Sequence, residues 1–222
     1  MRFSLPRRVI EPEWLDGTHP DKARNSLADL IRLNRYWGGY SSLARLLRDA
    51  GLPGQAPFSV LDVGAASGDM GRELNRLCPK SRVFSLDYTA HHLDPAPTPK
   101  LVGDAFHLPF SAGSFDFVFS SLFLHHFTDG QIVSLLNGAR QVARRAVLAI
   151  DLERRWIPYQ FVPATRKVLG WDPITVHDAP ISVAAGFRAL ELKRLAEQAG
   201  LQDVDVRANA FAFRLTLFGR VR

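Results

Sequence analysis

Apolar positions along the chain change their period as the sequence proceeds. Leu27, Leu30, Ile31 and Leu33 share one helical face, and Leu43, Leu46, Leu47 and Ala50 share another. Ser41 or Ser42 can cap the second of these helices, and Gly51 stands where it should stop. Leu52 to Pro57 carries two prolines and a glycine and reads as a linker. From Phe58 short apolar runs alternate with amphipathic ones. Ser59 to Val63, "SRVFSLD", "KLVGD", "SFDFVFSSLFL" and "RAVLAIDL" read as strands, the fourth running into a loop. Met70, Leu74 and Leu77 mark a helix, as do Ile132, Leu135, Leu136 and Ala139 within Gly130 to Val142. A last helix carries Leu192, Leu195, Ala196 and Ala199 and is stopped by Gly200; "DVDVRAN" and "AFRLTLFGRV" follow as an antiparallel pair. Strands alternating with helices predict a mostly parallel sheet covered on both faces, preceded by a helical cap.

Composition narrows the class. The chain has 222 residues, 46% apolar and 23% charged, enough for one large domain or a domain with an appendage. A single cysteine, Cys78, excludes an internal disulfide framework and a cysteine-built zinc site, and suits a reducing compartment. The opening "MRFSLPRRVIEPEW" is basic, but prolines and charges interrupt it as a signal peptide. No uncharged apolar run reaches the roughly 18 residues that a spanning helix needs. The net charge of +6 is scattered, with Arg7-Arg8, Arg144-Arg145 and Arg154-Arg155 as the only Arg-Arg pairs. It reads as solubility and helix-face decoration rather than a nucleic-acid footprint. The expectation is a cytoplasmic protein with no nucleic-acid partner and no stable membrane insertion.

The segment "SVLDVGAASGDMGRELNRL" carries the chemistry. An apolar strand opens into small residues and then an amphipathic helix, so the backbone itself can lie against a ligand beyond the strand end. A tight turn with no ligand would use the same glycines. A dinucleotide fingerprint is approached by Ala66-Ser67-Gly68-Asp69-Met70-Gly71, but its first glycine is missing. Asp69 at the helix N-terminus would repel a pyrophosphate and would accept a cationic group. Asp87, 23 residues past Gly64 (87 − 64), ends the second strand and can accept both hydroxyls of a ribose.

"VLDVGAASGD", "VFSLD", "GDAFHLPFSAGSFDFVFSSLFLHHF" and "VLAIDL", in this order, resemble a class I S-adenosylmethionine-dependent methyltransferase, close to the small-molecule type of ubiquinone and menaquinone biosynthesis C-methyltransferases. The resemblance is strong from Val60 to Leu152 and weakens in the final seventy residues. It implies a Rossmann-like, doubly wound α/β fold with seven strands and an antiparallel last strand. It implies S-adenosylmethionine as cofactor. Asp62 and Gly64 would belong to the first motif, with Gly64 and Ala65 backbone against the methionine part and Gly68 closing the loop. Asp87 would hold the ribose, Tyr88 would pack beside the adenine, and Asp104 with Ala105 would read the adenine amino edge. Ser120 and Ser121 would border the methyl group. The chain departs from the family pattern in placing Ala66 at the middle glycine, which requires a negative φ there. It also has three prolines in "DPAPTPK", which exclude most of a crossover helix and predict a loop beside the adenine.

Methyl transfer from a sulfonium needs positioning above all, and a base only where the acceptor must lose a proton. His125 and His126, after the fourth strand, are candidates for that base. A second is His177 beside Asp178, in a segment that also reads as a turn. Tyr36, Trp37, Tyr40, Phe123, Trp156, Tyr159, Phe161 and Trp171 could in part line an apolar cavity. Asn34 and Arg35 could reach the cofactor's carboxylate. No cluster has metal-ligand spacing in the sequence, so no metal is expected. The organisation expected is a cap over 1–55 and a cofactor-binding core over 56–222, with a substrate lid around 153–187. The reaction expected is methyl transfer to carbon or oxygen of a small aromatic or polyketide-like acceptor. The rivals are RNA methylation and nicotinamide-dependent oxidoreduction.

Overall fold

The computed structural model describes residues 7–54, 56–97, 99–209 and 212–222, so Met1 to Pro6 of the basic opening, Gln55 of the linker and Thr98 of the proline-rich stretch lie outside the described residues. One seven-stranded sheet organises the rest, in the order β3-β2-β1-β4-β5-β7-β6. Its strands are β1 (Phe58–Val63), β2 (Ser81–Asp87), β3 (Lys100–Val102), β4 (Phe115–Ser121), β5 (Ala143–Leu152), β6 (Gln202–Asn209) and β7 (Arg214–Arg220). The first five run parallel, and β7 lies antiparallel between β5 and β6. The Rossmann-like sheet with an antiparallel last strand is therefore as the sequence predicts.

The uninterrupted apolar runs become intelligible once both faces are covered. Successive side chains point to opposite faces of a strand, so a run such as Val60-Leu61 must feed two cores. Val60, Phe117, Phe119, Leu148 and Ile150 pack against Leu43, Leu46 and Leu47 of α3 (Gly39–Asp49) and Met70 and Leu74 of α4 (Asp69–Leu77). On the opposite face Leu61, Val63, Val118 and Val147 meet Ile132 and Leu136 of α5 (Asp129–Val142) and Leu192 and Leu195 of α8 (Ala189–Gln198). Helix α5 begins with a capping box in which the Thr128 hydroxyl and the Gln131 side chain each satisfy the other's backbone N–H. Neither Ser41 nor Ser42 caps α3; Gly38 does, at φ +99°, and its carbonyl accepts from the Ser42 N–H at 2.9 Å.

Over the carboxyl ends of β1, β2 and β4 sit α1 (Trp14–Gly17), α2 (Pro20–Tyr36), α6 (Trp156–Leu169) and α7 (Pro173–Ala185). The expected turn at His177-Asp178 is instead the interior of α7. Asp172 caps that helix by accepting the Ile174 N–H at 2.9 Å, and Pro173 takes its first turn, where a missing N–H costs nothing. Pro163 and Pro180 stand inside α6 and α7. The proline-rich stretch between β2 and β3 forms only a short 3-10 turn, Ala90–Leu93, followed by a loop, as three prolines require. Among the described residues no helix is long and apolar enough to cross a membrane.

Candidate active site

The strand order reverses between β1 and β4, and a cavity of about 680 Å³ opens beyond their carboxyl ends. Its lining falls into two groups of residues, or arms: Gly64, Ala66, Asp87, Tyr88, Asp104 and Ala105 form the first, and Leu27, Leu30, Leu33, Trp37, Phe161 and Val183, with Glu13, His125 and His126, form the second.

The first arm is held by backbone geometry. The N–H groups of Gly64 and Ala65 both donate to the Leu86 carbonyl, at 2.9 and 3.0 Å, and hook the loop onto the end of β2. Gly64 sits at φ +70°, and a Cβ there would lie 2.4 Å from the Phe123 ring. The requirement of a negative φ at Ala66 is not met: Ala66 adopts φ +44°. Its N–H donates to Asp87 Oδ2 at 2.9 Å, so a buried carboxylate holds the alanine in a region that costs an L-residue about 1–2 kcal/mol. Asp87 also accepts the Thr89 N–H at 3.0 Å and lies 3.7 Å from His92 Nδ1. Burial pushes its pKa up, but the hydrogen bonds from His92, Thr89 and Ala66 outweigh that, and the carboxyl is held below its ordinary range. Asp104, largely exposed, is lowered by His107 Nδ1 at 2.7 Å and the Phe106 N–H at 2.8 Å. Tyr88 is the most open of these groups, 79% exposed at the rim.

Five of the ten positions expected around the cofactor line the cavity: Gly64, Asp87, Tyr88, Asp104 and Ala105. The other five lie behind the wall. Gly68 and Ala65 face the 93–97 loop; a Cβ on Gly68 would meet Ala96 and Pro97 at 2.6–2.8 Å, and Ala65 packs with Leu93 and Ala96. Arg72 fastens that loop by donating to the carbonyls of Ser67 and Pro95, at 3.0 and 2.6 Å. Asp62 is buried beneath the turn; burial and the nearby Asp69 and Asp87 push its pKa up to about 8. Ser120 and Ser121 end β4 inside the sheet, and the cavity wall there is made by Leu122, at φ +51°, and Phe123. Asn34 does not face the cavity either. Its Nδ2 donates to Asp69 at 3.0 Å and ties α2 to the start of α4. Of the eight candidate aromatics, Trp37, Phe123 and Phe161 line the cavity together with Tyr88, while Trp171 supports Trp37 from behind at 5.4 Å between centroids.

The second arm holds two of the expected bases, His125 and His126, beside Glu13 and Arg214, which the sequence did not single out. His125 is buried, with Nδ1 2.7 Å from Asp151 Oδ1 and Nε2 3.6 Å from Glu13 Oε1. Burial alone would lower its pKa, but Asp151 and Glu13 overcome that and raise it to about 9. The ring thus has a carboxylate facing each of its two nitrogens. Asp151 also accepts the N–H groups of Leu124 and Leu152, at 2.9 and 2.7 Å. Burial raises the Glu13 pKa less than His125, His126 and the Ser182 hydroxyl lower it, so the carboxyl ionises below its ordinary range. His126 stacks on His125 at 4.4 Å. Arg214, buried on the same side, has its pKa lowered to about 10 by burial against the pull of Asp151. Asp151 had a signal in the sequence, an acid near the end of the apolar strand "VLAIDL"; Glu13 had none.

His177 is not in the cavity wall. It stacks under Trp14 at 3.6 Å, and its Nδ1 lies 2.7 Å from Asp178 Oδ1. Asp178 accepts the N–H groups of Trp14 and Leu15, at 2.9 and 3.0 Å. The pair fastens the segment that delivers Glu13. Arg8 fastens it further, donating to the carbonyls of Ala185 and Phe127 at 2.8 and 2.9 Å and pairing with Asp129.

Comparison with known proteins agrees with this architecture. Residues 60–146 match the family described as a methyltransferase domain. The chain carries a methyltransferase domain over these residues, and the matches support an S-adenosylmethionine-dependent enzyme with S-adenosylmethionine as cofactor. Over 167 residues it is 29% identical to the demethylmenaquinone methyltransferase of Roseiflexus castenholzii, covering 66% of this chain and 69% of the relative. In fold it is similar to a SAM-dependent methyltransferase from Aquifex aeolicus (TM-score 0.63, 17% identity, 92% of this chain and all of that one). It is likewise similar to human N-acetylserotonin methyltransferase in complex with SAM (TM-score 0.60, 16% identity, 86% of this chain and 55% of that one). The nicotinamide reading falls with these matches.

Proposed function

We propose that the chain transfers a methyl group from S-adenosylmethionine to an oxygen or carbon of a small, apolar, aromatic or polyketide-like acceptor. The observation that carries this reading is that one cavity is lined by the strand-end carboxylates Asp87 and Asp104, by apolar side chains of the cap, and by the polar Glu13, His125 and His126. The residues of the first arm fit the cofactor. Gly64 presents bare backbone, Asp87 and Asp104 offer carboxylate oxygens for hydroxyls and an exocyclic amine, and Tyr88 and Phe106 offer flat apolar surface. When bound there, S-adenosylmethionine supplies an already activated sulfonium methyl group.

The chain's own residues then have to align the acceptor and exclude water. Leu27, Leu30, Leu33, Trp37 and Phe161 suit a flat apolar body, whose burial contributes about 25 cal/mol per Å². A hydroxyl on that body would reach the cluster of Glu13, His125 and His126. His125 is fixed there by Asp151, and Glu13 offers a carboxylate oxygen that can accept the hydroxyl's proton. Holding the acceptor in line is the larger contribution, and easing proton loss the smaller. The likenesses to a demethylmenaquinone methyltransferase and to an O-methyltransferase family protein from Burkholderia thailandensis (TM-score 0.62, 17% identity, 91% of this chain and 60% of that one) support small-molecule chemistry of this kind.

Labelled-methyl turnover against hydroxylated naphthalenes, resorcinols and pyrones with apolar tails tests the reading. Turnover with at least one such acceptor, lost in E13Q, is expected. Calorimetric binding of S-adenosylmethionine with no turnover on that panel, but turnover on RNA, would overturn it.

A further inference from the structure

Three side chains of the second arm meet in a way that the reaction above does not require. Glu13, His125 and His126 each offer one ligand atom, and these atoms all lie within 4.8 Å of one another. We propose that they form a divalent-cation site whose open coordination position faces the acceptor.

The separation of two of these atoms suits a metal. Ligand atoms at about 2.1 Å from a tetrahedral cation lie about 3.4 Å apart, and His125 Nε2 stands 3.6 Å from Glu13 Oε1. His125 is also arranged as a metal-bound imidazole is. Its Nδ1 is held by Asp151 Oδ1 at 2.7 Å, which leaves Nε2 to point at Glu13. Asp151 is itself immobilised by the backbone N–H groups of Leu124 and Leu152, and the Ser182 hydroxyl steadies Glu13. Glu13 and Asp151 are opposed by the buried Arg214, while Arg8 is answered by Asp129, so a cation that displaces the proton from His125 meets a net negative site. Two imidazoles and one carboxylate suit zinc, manganese, iron(II) or cobalt better than calcium, which prefers an all-oxygen shell. Three protein ligands leave at least one position for an exchangeable oxygen, the arrangement of reactive rather than structural sites. All three residues line the cavity, so that position is reachable from it.

Such a cation would bind the acceptor's hydroxyl oxygen and make it more acidic. The O–H bond breaks, its electron pair stays on the metal-bound oxygen, and the proton leaves to water. This use of the site rests on the acceptor placement proposed above; binding of the cation does not.

The test uses the full chain freed of metal by chelation, titrated with Co²⁺ and Zn²⁺ by calorimetry and by the visible absorption of Co²⁺, without acceptor. One Co²⁺ per chain is expected, with affinity at least 100-fold weaker in E13Q and in H126A. D151N should weaken it about 10–100-fold, because it removes the partner that orients His125. Calorimetry with S-adenosylmethionine in E13Q and H126A checks that these variants are folded. The proposal is overturned if the native chain takes up no Co²⁺ at millimolar concentration, or if E13Q and H126A bind it as tightly as the native chain. Full turnover by a chelated, metal-free chain sinks the cation's role while leaving the methyl-transfer reading intact. Tight, Glu13-dependent cation binding with no turnover on any hydroxylated acceptor sinks that reading while upholding the site.

Discussion

Replacing Ala66 by glycine should stabilise the protein, against the usual expectation for adding a glycine. Ala66 sits at φ +44°, with its N–H committed to Asp87 Oδ2 at 2.9 Å. A left-handed alanine costs about 1–2 kcal/mol, and glycine removes that strain. The glycine chain is freer when unfolded, which returns about 0.4–1 kcal/mol. The net gain is about 0.5–1 kcal/mol, or about 2–3 °C in Tm for a chain of this size. The hydrogen bond to Asp87 survives, so affinity for S-adenosylmethionine should stay within about twofold. Valine at the same position is the converse probe. A β-branched residue tolerates this φ poorly, so A66V should lose about 1–3 kcal/mol and weaken cofactor binding as well. Urea denaturation followed by circular dichroism reads the stabilities, and calorimetry reads the affinities. An A66G protein less stable than the native chain, or an A66V protein equal to it, would refute the argument that Asp87 holds this turn against its preference.

Other consequences can be checked separately. D104A should leave stability within about 0.5 kcal/mol, because the side chain is largely exposed. It should nevertheless weaken S-adenosylmethionine binding by about 1.5–3 kcal/mol, the usual contribution of a hydrogen bond to a charged group. Asp178 acts at a distance from the cavity. D178N should raise KM for the acceptor several-fold with the cofactor Kd unchanged, since it loosens only the segment carrying Glu13. For pH, the Asp87 carboxyl is lowered in the folded state, so its contribution is complete above the unfolded value of about 4 and is lost as pH falls through its lower folded value. Cofactor affinity should therefore be flat from pH 7 to pH 5; a fall with a midpoint above pH 5 would mean that Asp87 is not the group involved. G64A should lose both stability and cofactor affinity, because the added Cβ would lie 2.4 Å from the Phe123 ring, and F123A should restore part of the stability.

The sheet was legible because burial on two faces writes a strong local signature. Runs such as "SVLDV" and "RAVLAIDL" have nowhere to go but a covered parallel sheet, and Ile132, Leu135, Leu136 and Ala139 specify one helix face. The bare loop at 64–68 and the acids at 87 and 104 were legible for the same reason: a strand end, a turn and the next strand end lie within one short stretch of chain. Helices α6 and α7 were hidden by Pro163 and Pro180, which argue against a helix until packing over the cavity compensates them.

What the sequence determined by itself was thus the order of elements and the strand ends, which depend on spacing within a window of some twenty residues, while the class of cofactor came from the resemblance of its motifs to a family. Only the tertiary structure decided which side of each residue is used. It turned Gly68 and Ala65 toward a proline-rich loop, buried Ser120 and Ser121, and left Ala66 in a left-handed turn. It also brought Glu13 to His125, 112 residues further on (125 − 13), and set Asp151 behind them. Such a meeting has no period and no local pattern. It exists because the cap docks on α7 while β4 and β5 lie in register, and both are settled by packing between distant segments.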